Sequence, residues 1–375
     1  MVGKIKYDMI KICHITTVHP RYDVRIFYKE CKSLQKNGFN VNLIVADDKG
    51  DEIKDNIKIF DVGKETSRLK RMMKSPSKIY AKALELDADI YHFHDPELIF
   101  IGKKLINKNK RVIYDVHEDV PLQILSKPYL NLFLRKIVSK IFEYHENKNV
   151  KKFSHIITAT DFIKERFLKI NNNTGSIKNY PIVDELKINV NRNNKKNSVC
   201  YVGAVAKIRG ISEIVKAMEF TDCKLNLAGK FDDKKLRDEI IKYKSWNKVT
   251  EYGFADRETV KQIYEESKAG LVTLHPTVNY KDALPVKLFE YMLAGIPVIS
   301  SNIPLWQKIV EENNCGLCVN PYNPKEIAGA INIILNDDIL AEKMGLNGQK
   351  AVIDKYNWAI EEKKLINIYK KVNAS

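Results

Sequence analysis

Two carboxylates, Asp282 and Glu290, stand eight residues apart in the stretch DALPVKLFEYMLAGIPVISS, residues 282–301. Leu284 and Pro285 lead into an amphipathic run of Leu288, Phe289, Met292 and Leu293, and Gly295 with Pro297 closes it before the apolar strand IPVIS. A helix starting there aims free amides and the positive end of its dipole at whatever lies in front of it, which suits a phosphate. A carboxylate further along suits the hydroxyls of a sugar; the plain alternative is a packing helix with Glu290 in water. A second set of residues, Gly203-Ala-Val-Ala-Lys207-Ile-Arg209-Gly210, follows a strand-like run and precedes a helical one. Arg209 offers a two-pronged fork and Lys207 a point charge, so the turn reads either as a diphosphate clamp or as a solvated basic turn.

The elements that must position these residues alternate along the chain. MIKICHITT, a helix from about Val24 to Lys36, NVNLIVA, DIYHFH, RVIYDVH and HIITAT come first, the pattern of a parallel sheet covered by helices. The polar segment 184–198, DELKINVNRNNKKNS, lacks apolar periodicity and is expected to be a linker. The pattern then restarts with SVCYVGAV, KLNLAG, KVTEYGF, AGLVTLH, IPVIS and GLCVN, separated by helical runs such as 232–244 and 257–268. The expected organisation is an N-terminal domain over 1–183, a linker over 184–198, a C-terminal domain over 199–355, and a last helix within 356–375 returning to the first domain. Each domain is expected to be a doubly wound α/β sheet, with ligands at the carboxyl ends of the strands and in a cleft between the domains.

Composition narrows the function class. A chain of 375 residues with 44% hydrophobic and 29% charged residues is long enough for two globular cores. No apolar run reaches the roughly 20 residues of a membrane span, and the apolar start of the chain reads as a strand rather than a secretion signal. The six cysteines lack regular spacing, and Cys315-Gly-Leu-Cys318 is a CxxC without a second pair, so reduced core thiols in the cytoplasm are expected. A net charge of +16 asks for an acidic partner: nucleic acid, an anionic membrane or a phosphorylated small molecule. No GxGxxG follows the first strand and no GxxxxGK[ST] occurs, which weakens the dinucleotide and P-loop readings. No nucleic-acid-reading module is recognised.

Taken in order, GAVAKIRGI, the 282–301 stretch, His117 within YDVHEDVP, KNYPIVDEL, DVRIFYKECKSLQKNGFNV and YHFHDPEL resemble the GT4 family of retaining glycosyltransferases, in particular its bacterial surface-polysaccharide branch. The resemblance covers nearly the whole chain. It implies the GT-B fold, with two Rossmann-like domains, and transfer of a sugar from a nucleotide-diphosphate-sugar to a lipid-linked or polysaccharide glycan. Glu290 matches the second acid of the family's E-x7-E motif, which grips the nucleotide ribose; Asp282 stands at the first, which faces the donor sugar, and is shorter by one methylene than the usual Glu. Arg209 matches the residue that neutralises the diphosphate. Ala204 replaces a second Arg, which shifts weight onto Lys207 or Lys287. His117 matches a His near the reaction centre.

The resemblance further implies donor contacts at Gly203, Leu284 and Pro285, a base-reading loop around Gly253, Phe254 and Asp256, and acceptor-side positions at Asp23, Arg25 and His94. Its chemistry is front-face transfer assisted by the leaving phosphate, with no metal or other cofactor. Asp87-Ala-Asp89, the one DxD-like triplet, precedes a strand and reads as a turn. For a lipid-linked acceptor, the basic run of Arg68, Lys70, Arg71, Lys74, Lys78 and Lys82 is the expected contact with anionic lipid at the inner face of the cell membrane. The stripe of Leu130, Phe133, Leu134, Ile137, Val138, Ile141 and Phe142, with Arg135, Lys136 and Lys140 nearby, reads either as a second face for anionic lipid or as core packing, and core packing is the expectation. Two other readings remain: a nucleotide-sugar epimerase on the same scaffold, and a non-catalytic scaffold protein that binds sugar nucleotide or membrane.

Overall fold

The computed structural model describes residues 10–126, 131–188, 195–278 and 280–374. Leu130 and residues 189–194 of the expected linker fall outside them. The chain divides into two units, one running to Asn179 and taking in Ala359–Ser375, the other spanning Tyr180–Trp358.

The first unit is built on eight strands: β1 Lys11–Ile15, β2 Asn40–Val45, β3 Glu52–Lys54, β4 Ile57–Asp61, β5 Ile90–Phe93, β6 Arg111–Val116, β7 His155–Thr158 and β8 Thr174–Ser176. Their spatial order is β3-β4-β2-β1-β5-β6-β7-β8, parallel except for the β3–β4 pair. Because side chains alternate between faces, Cys13, Ile15, Tyr91, Phe93, Val112 and Tyr114 share one apolar cluster. His14, His92 and Asp115 are left on the opposite face. The expected helix from Val24 to Lys36 is a π-helix over Val24–Cys31 continued by an α-helix over Lys32–Lys36, with Asp23 as its N-cap accepting from the amides of Arg25 and Ile26. The last helix, Trp358–Ala374, contributes Tyr369 to this unit.

The second unit has six parallel strands: β9 Ser198–Val202, β10 Lys224–Ala228, β11 Val249–Gly253, β12 Ala269–Val272, β13 Val298–Ser301 and β14 Gly316–Val319. Their order, β11-β10-β9-β12-β13-β14, reverses direction between β9 and β12. Ligands of such sheets bind at that reversal, beyond the carboxyl ends of the strands. Val199, Tyr201, Leu225 and Leu271 face one core, while Cys200, Ala228 and Val272 face another, so both faces of the sheet are covered.

Two sequence expectations need correction. The segment 184–198 does not act as a linker over its described part: Val183–Leu186 is a short helix, and Leu186 and Ile188 are buried in the second unit's core. Three apolar residues in fifteen, Leu186, Ile188 and Val190, are too few to show a period, yet the first two anchor the segment. Of the described stripe on the helix Leu132–Val150, Phe142 packs against the first unit's core, but Phe133, Leu134, Ile137, Val138 and Ile141 are exposed rather than turned inward.

Gly210 fixes the turn after β9. Its φ is +73°, and a Cβ built on it would lie 2.0 Å from the Thr273 carbonyl oxygen at the end of β12. A side chain there is both strained and blocked. We expect Gly210→Ala to cost at least ~3 kcal/mol in urea unfolding, combining left-handed strain with overpacking. Gly253→Ala, at φ +64° with nothing within 4 Å of the added carbon, should cost only about 1–2 kcal/mol. Equal losses would show that contact with Thr273 is not what demands glycine at 210.

Candidate functional site

The sheet reversal in the second unit gathers its cations. β9 ends at Gly203, whose φ of +130° and missing side chain leave room for Lys287: a Cβ there would sit 2.9 Å from Lys287 Nζ and 3.9 Å from Arg209 Nη1. Arg209 rides on a single 3₁₀ turn, Lys207–Arg209, held by Gly210. Lys287 projects from the helix Val286–Leu293, and its ammonium lies 3.6 Å from the ring centroid of Tyr201 with no hydrogen-bond partner. Burial first, and then neighbouring Arg209, push the Lys287 ammonium well below its usual range. Two cations side by side in a desolvated setting favour a multiply charged anion.

Leu284 and Pro285 form the approach to that helix, which starts at Pro285 without a side-chain cap. Its amides therefore remain available to a ligand. One turn on, Glu290 is largely buried: its Oε1 accepts from Arg257 Nη1 at 2.8 Å and its Oε2 from the Tyr264 hydroxyl at 3.2 Å. Arg257 also donates to Glu185 at 2.9 Å. Asp282 is half-buried and makes no hydrogen bond or ion pair among the described residues. Lys207 is exposed on its turn. Gly253 ends β11 and Phe254 follows it, largely exposed with Lys230 over its ring; Asp256 caps the next helix through the Thr259 amide. The structure thus unites Gly203, Arg209 and Lys287, places Glu290 one turn beyond, and leaves Asp282 without a partner.

The first unit holds a different kind of centre. Asp115, wholly buried in β6, accepts from Arg25 Nε and Nη2 at 2.9 Å each, and its Oδ2 also lies 3.1 Å from His117 Nε2 and 3.3 Å from His94 Nδ1. A carboxylate can only accept, and the two nitrogens are themselves 3.2 Å apart; with His94 Nδ1 as the donor to Asp115 the rest of the cluster takes one direction. His94 Nε2 then accepts from His14 Nδ1 at 3.0 Å, and His14 Nε2 accepts from the Tyr369 hydroxyl at 3.1 Å. That hydroxyl in turn accepts from His92 Nδ1 at 2.7 Å. One direction of donation runs through the cluster and ends on Asp115. It needs neutral rings, and burial supplies them, holding His14 and His92 well below the usual imidazole range and His94 down to about 4. His117 Nε2 lies on Asp115, and this ring is the partly exposed member of the cluster.

Arg25 and His94, expected on the acceptor side, are buried braces of this cluster rather than ligand-facing groups; Arg25 also donates to the Ile177 carbonyl at 2.8 Å. Asp23 is the helix cap already described. Burial raises its carboxyl, but hydrogen bonds from His19 and from the Ile26 amide outweigh burial and bring it down to about 2. Asp115, Glu30, His14, His92 and Tyr369 were absent from the sequence reading, as were Arg257, Tyr264 and Tyr201 in the second unit. A signal for Asp115 existed: a carboxylate within the apolar strand VIYDV must be paired. Nothing local announced Arg257, which lies 33 residues from Glu290.

His14, Glu30, His92 and His94 bring possible metal-ligating atoms within 4.8 Å of one another, as do His94, Asp115 and His117. All ring nitrogens of the first set except His92 Nε2 are already tied into the chain of hydrogen bonds or are turned to Asp115 and His117. An ion there would have to break that chain. Asp87, the first residue of the DxD-like triplet, is the left-handed cap of the helix Arg68–Leu86 and pairs with Lys110; Asp89 accepts from the Lys11 amide.

Residues 183–351 match the family described as Glycosyl transferases group 1, and residues 24–175 match Glycosyltransferase Family 4. An uncharacterized glycosyltransferase of Methanocaldococcus jannaschii is 30% identical over 195 residues, 50% of this chain and 49% of that protein. The alpha-D-kanosaminyltransferase of Streptomyces kanamyceticus is 27% identical over 180 residues, 46% of this chain and 45% of its own. The match to these curated relatives thus spans about half their length. Sucrose-phosphate synthase of Thermosynechococcus elongatus shares the fold at a TM-score of 0.77 with 20% identity, over 97% of this chain and 99% of that one. Anabaena HepE in complex with UDP-glucose does so at 0.73 with 14% identity, over 96% and 99%.

The charge ledger of the buried cluster generates a test. Burial and the neighbouring Asp115 raise the Glu30 carboxyl well above its usual range, whereas Asp115 is held below its own despite burial, by Arg25 and then His117. Glu30 Oε1 also lies 3.1 Å from Arg25 Nε, but with its carboxyl raised the charge that neutralises Arg25 is that of Asp115. We expect Asp115→Asn to cost about 3–5 kcal/mol in urea unfolding, as for a buried cation losing its partner. Glu30→Gln should cost under ~1.5 kcal/mol, because it replaces one neutral group by another. The reverse order would overturn the assignment.

Proposed function

We propose that this chain, which belongs to the family 4 glycosyltransferases with the GT-B fold, transfers a sugar from a nucleotide-diphosphate-sugar to a hydroxyl of a glycan or lipid-linked acceptor. The observation that carries this reading is the pairing of Arg209 with the unpartnered, buried ammonium of Lys287 beside an uncapped helix end at the sheet reversal. Breaking a sugar–phosphate bond builds negative charge on the departing diphosphate, and preorganised cations and amides lower the barrier by meeting it. HepE bound to UDP-glucose lends support to a donor of this class.

The reaction reads as follows. The bond from the anomeric carbon to the β-phosphate oxygen breaks with its electron pair on that oxygen. The acceptor oxygen bonds to the same carbon from the same face, and its proton passes to the departing phosphate, so configuration is retained. Arg209, Lys287 and the amides after Pro285 hold the diphosphate, and these charges let the step proceed without a metal. Glu290, held by Arg257 and Tyr264, takes the ribose hydroxyls. His117 meets a sugar hydroxyl. Asp282 lies free to meet the donor sugar. Where the acceptor is lipid-linked, the protein works against the inner face of the membrane.

Two outcomes test the donor site. Glu290→Ala should weaken binding of the matching nucleotide ten- to a hundredfold, about 1.5–3 kcal/mol, with UDP, GDP and dTDP compared by thermal shift. Unchanged affinity in a folded variant would sink the ribose assignment. Activity should persist in EDTA, and the anomeric coupling of the product should match the donor's.

Lys287 gives a sharper readout. Burial and Arg209 lower the proton affinity of Lys287 in the free protein and a bound diphosphate raises it again, so binding should take up protons, at most about one, at pH values between the two. Calorimetry in buffers of different ionisation enthalpy measures this directly. Lys287→Met should abolish the buffer dependence. A wild-type binding enthalpy independent of buffer from pH 6 to about 9 would remove Lys287 from the clamp.

A further inference from the structure

The helix Leu132–Val150 is mounted with its amphipathic face reversed. Toward the protein it turns polar groups: Ser139 donates to the Pro121 carbonyl at 2.9 Å, and buried Glu146 accepts from the Tyr114 hydroxyl at 3.0 Å and pairs with Arg166. Toward solvent it turns eleven exposed residues, seven of them large and apolar, three lysines and His145, with no acid among them. Phe133 and Leu132 are each 72% exposed, Tyr144 69% and Ile141 64%. Scattered exposed apolar residues are ordinary, but a continuous stripe along one helix marks a binding surface.

The chemistry of that face selects its occupant. Lys136, Lys140 and Lys148 are interleaved with Phe133, Ile137 and Ile141 rather than segregated from them. Interleaving suits a surface whose anionic groups lie just above hydrocarbon, since a lysine can lay its stem on the apolar layer and lift its ammonium to the phosphates. A protein partner's dry core would have to desolvate those ammonium groups. The cavity of about 660 Å³ beside the helix is lined by Lys136, Lys140 and Lys169 but also by Asp119, Glu143 and Glu165, so its charge is mixed and the exposed helix face, not the cavity, carries the excess of cations.

The basic run 68–82, expected to be the membrane contact, is less suited. Among its described side chains Arg71 pairs with Glu97, Lys78 with Glu65 and Lys82 with Glu85.

We infer that the helix Leu132–Val150 docks on an anionic phospholipid bilayer, with the apolar stripe entering the acyl boundary and the lysines meeting the phosphates. This does not depend on the donor chemistry proposed above.

Sedimentation of the full chain with vesicles tests it. Phosphatidylcholine vesicles containing about one third phosphatidylglycerol should bind the protein at least tenfold more tightly than phosphatidylcholine alone, and high salt should weaken that binding. Ile137→Ser/Ile141→Ser should reduce binding to the mixed vesicles by at least about tenfold, because two buried side chains are lost from the interface. Lys136→Glu/Lys140→Glu should do the same. Both pairs lie on the exposed face, and an unchanged melting temperature would confirm that the variants fold. Wild-type protein that ignores mixed vesicles, or serine variants that bind them as well as wild type, would overturn the inference. So would a wild-type dimer that Ile137→Ser/Ile141→Ser dissolves in the absence of vesicle binding, since the face would then belong to a second copy. Nucleotide-induced thermal shift in the same samples reports on the donor site separately.

Discussion

A full negative charge on Asp115, with no exposed surface, sets the terms for the first unit. Removing such a group from water costs several kcal/mol unless it is paired and hydrogen-bonded. Arg25 answers with both prongs of its guanidinium, reaching from the π-helix to β6. Oδ2, already bonded by Arg25 Nε, also lies within reach of His94 Nδ1 and His117 Nε2, which are themselves 3.2 Å apart. With His94 as the donor, the bonds through His14, Tyr369 and His92 all run one way toward Asp115. The partly exposed His117 is thereby anchored to a buried charge.

The second unit solves the opposite problem. Arg25 meets a matched carboxylate, whereas Lys287 meets the face of Tyr201 and a neighbouring Arg209. Glu290 lies one turn away on the same helix, but Arg257 and Tyr264 already hold its two oxygens. Positive potential is therefore concentrated where β9 and β12 diverge, next to free helix amides. Gly203 and Gly210 make this possible in distinct ways, the first by clearing space for the ammonium and the second by letting the Arg209 turn lie against the Thr273 carbonyl. The buried cluster of the first unit is internally neutralised, whereas the second unit leaves Lys287 without a hydrogen-bond partner.

Much of this architecture could be read along the chain, and the exceptions have physical reasons. Strands such as NVNLIV and SVCYV declare themselves because parallel strands covered on both faces are continuously apolar. The three-residue strands Glu52–Lys54 and Thr174–Ser176 are too short to hold a pattern. Gly203, Arg209, Lys287 and Glu290 were legible because a strand, a glycine turn and a helix start bring them together within short segments. The histidine cluster was not, since it draws on β1, β5, β6, the π-helix and Tyr369, which lies 355 residues from His14. His94 and Arg25 stood out as residue types able to do chemistry, and burial assigned them to support instead.

The helix Leu132–Val150 shows where periodicity stops being informative. A 3.6-residue repeat of Leu, Phe, Ile and Val states that one side is apolar, yet it does not say which side meets the core. Direction here is decided by the polar edge. Ser139 needs an acceptor and finds the Pro121 carbonyl; Glu146 needs donors and finds Tyr114 and Arg166. Seating those groups inward leaves the opposite face, apolar and basic, to the outside. The neighbouring core does not need the stripe, because Tyr114, Phe153 and Phe167 already close it with edge-to-face ring contacts. An exposed apolar stripe carries a solubility cost that confers nothing on the isolated fold, so its retention beside lysines without acids points outward, to a surface that is itself greasy below and anionic above.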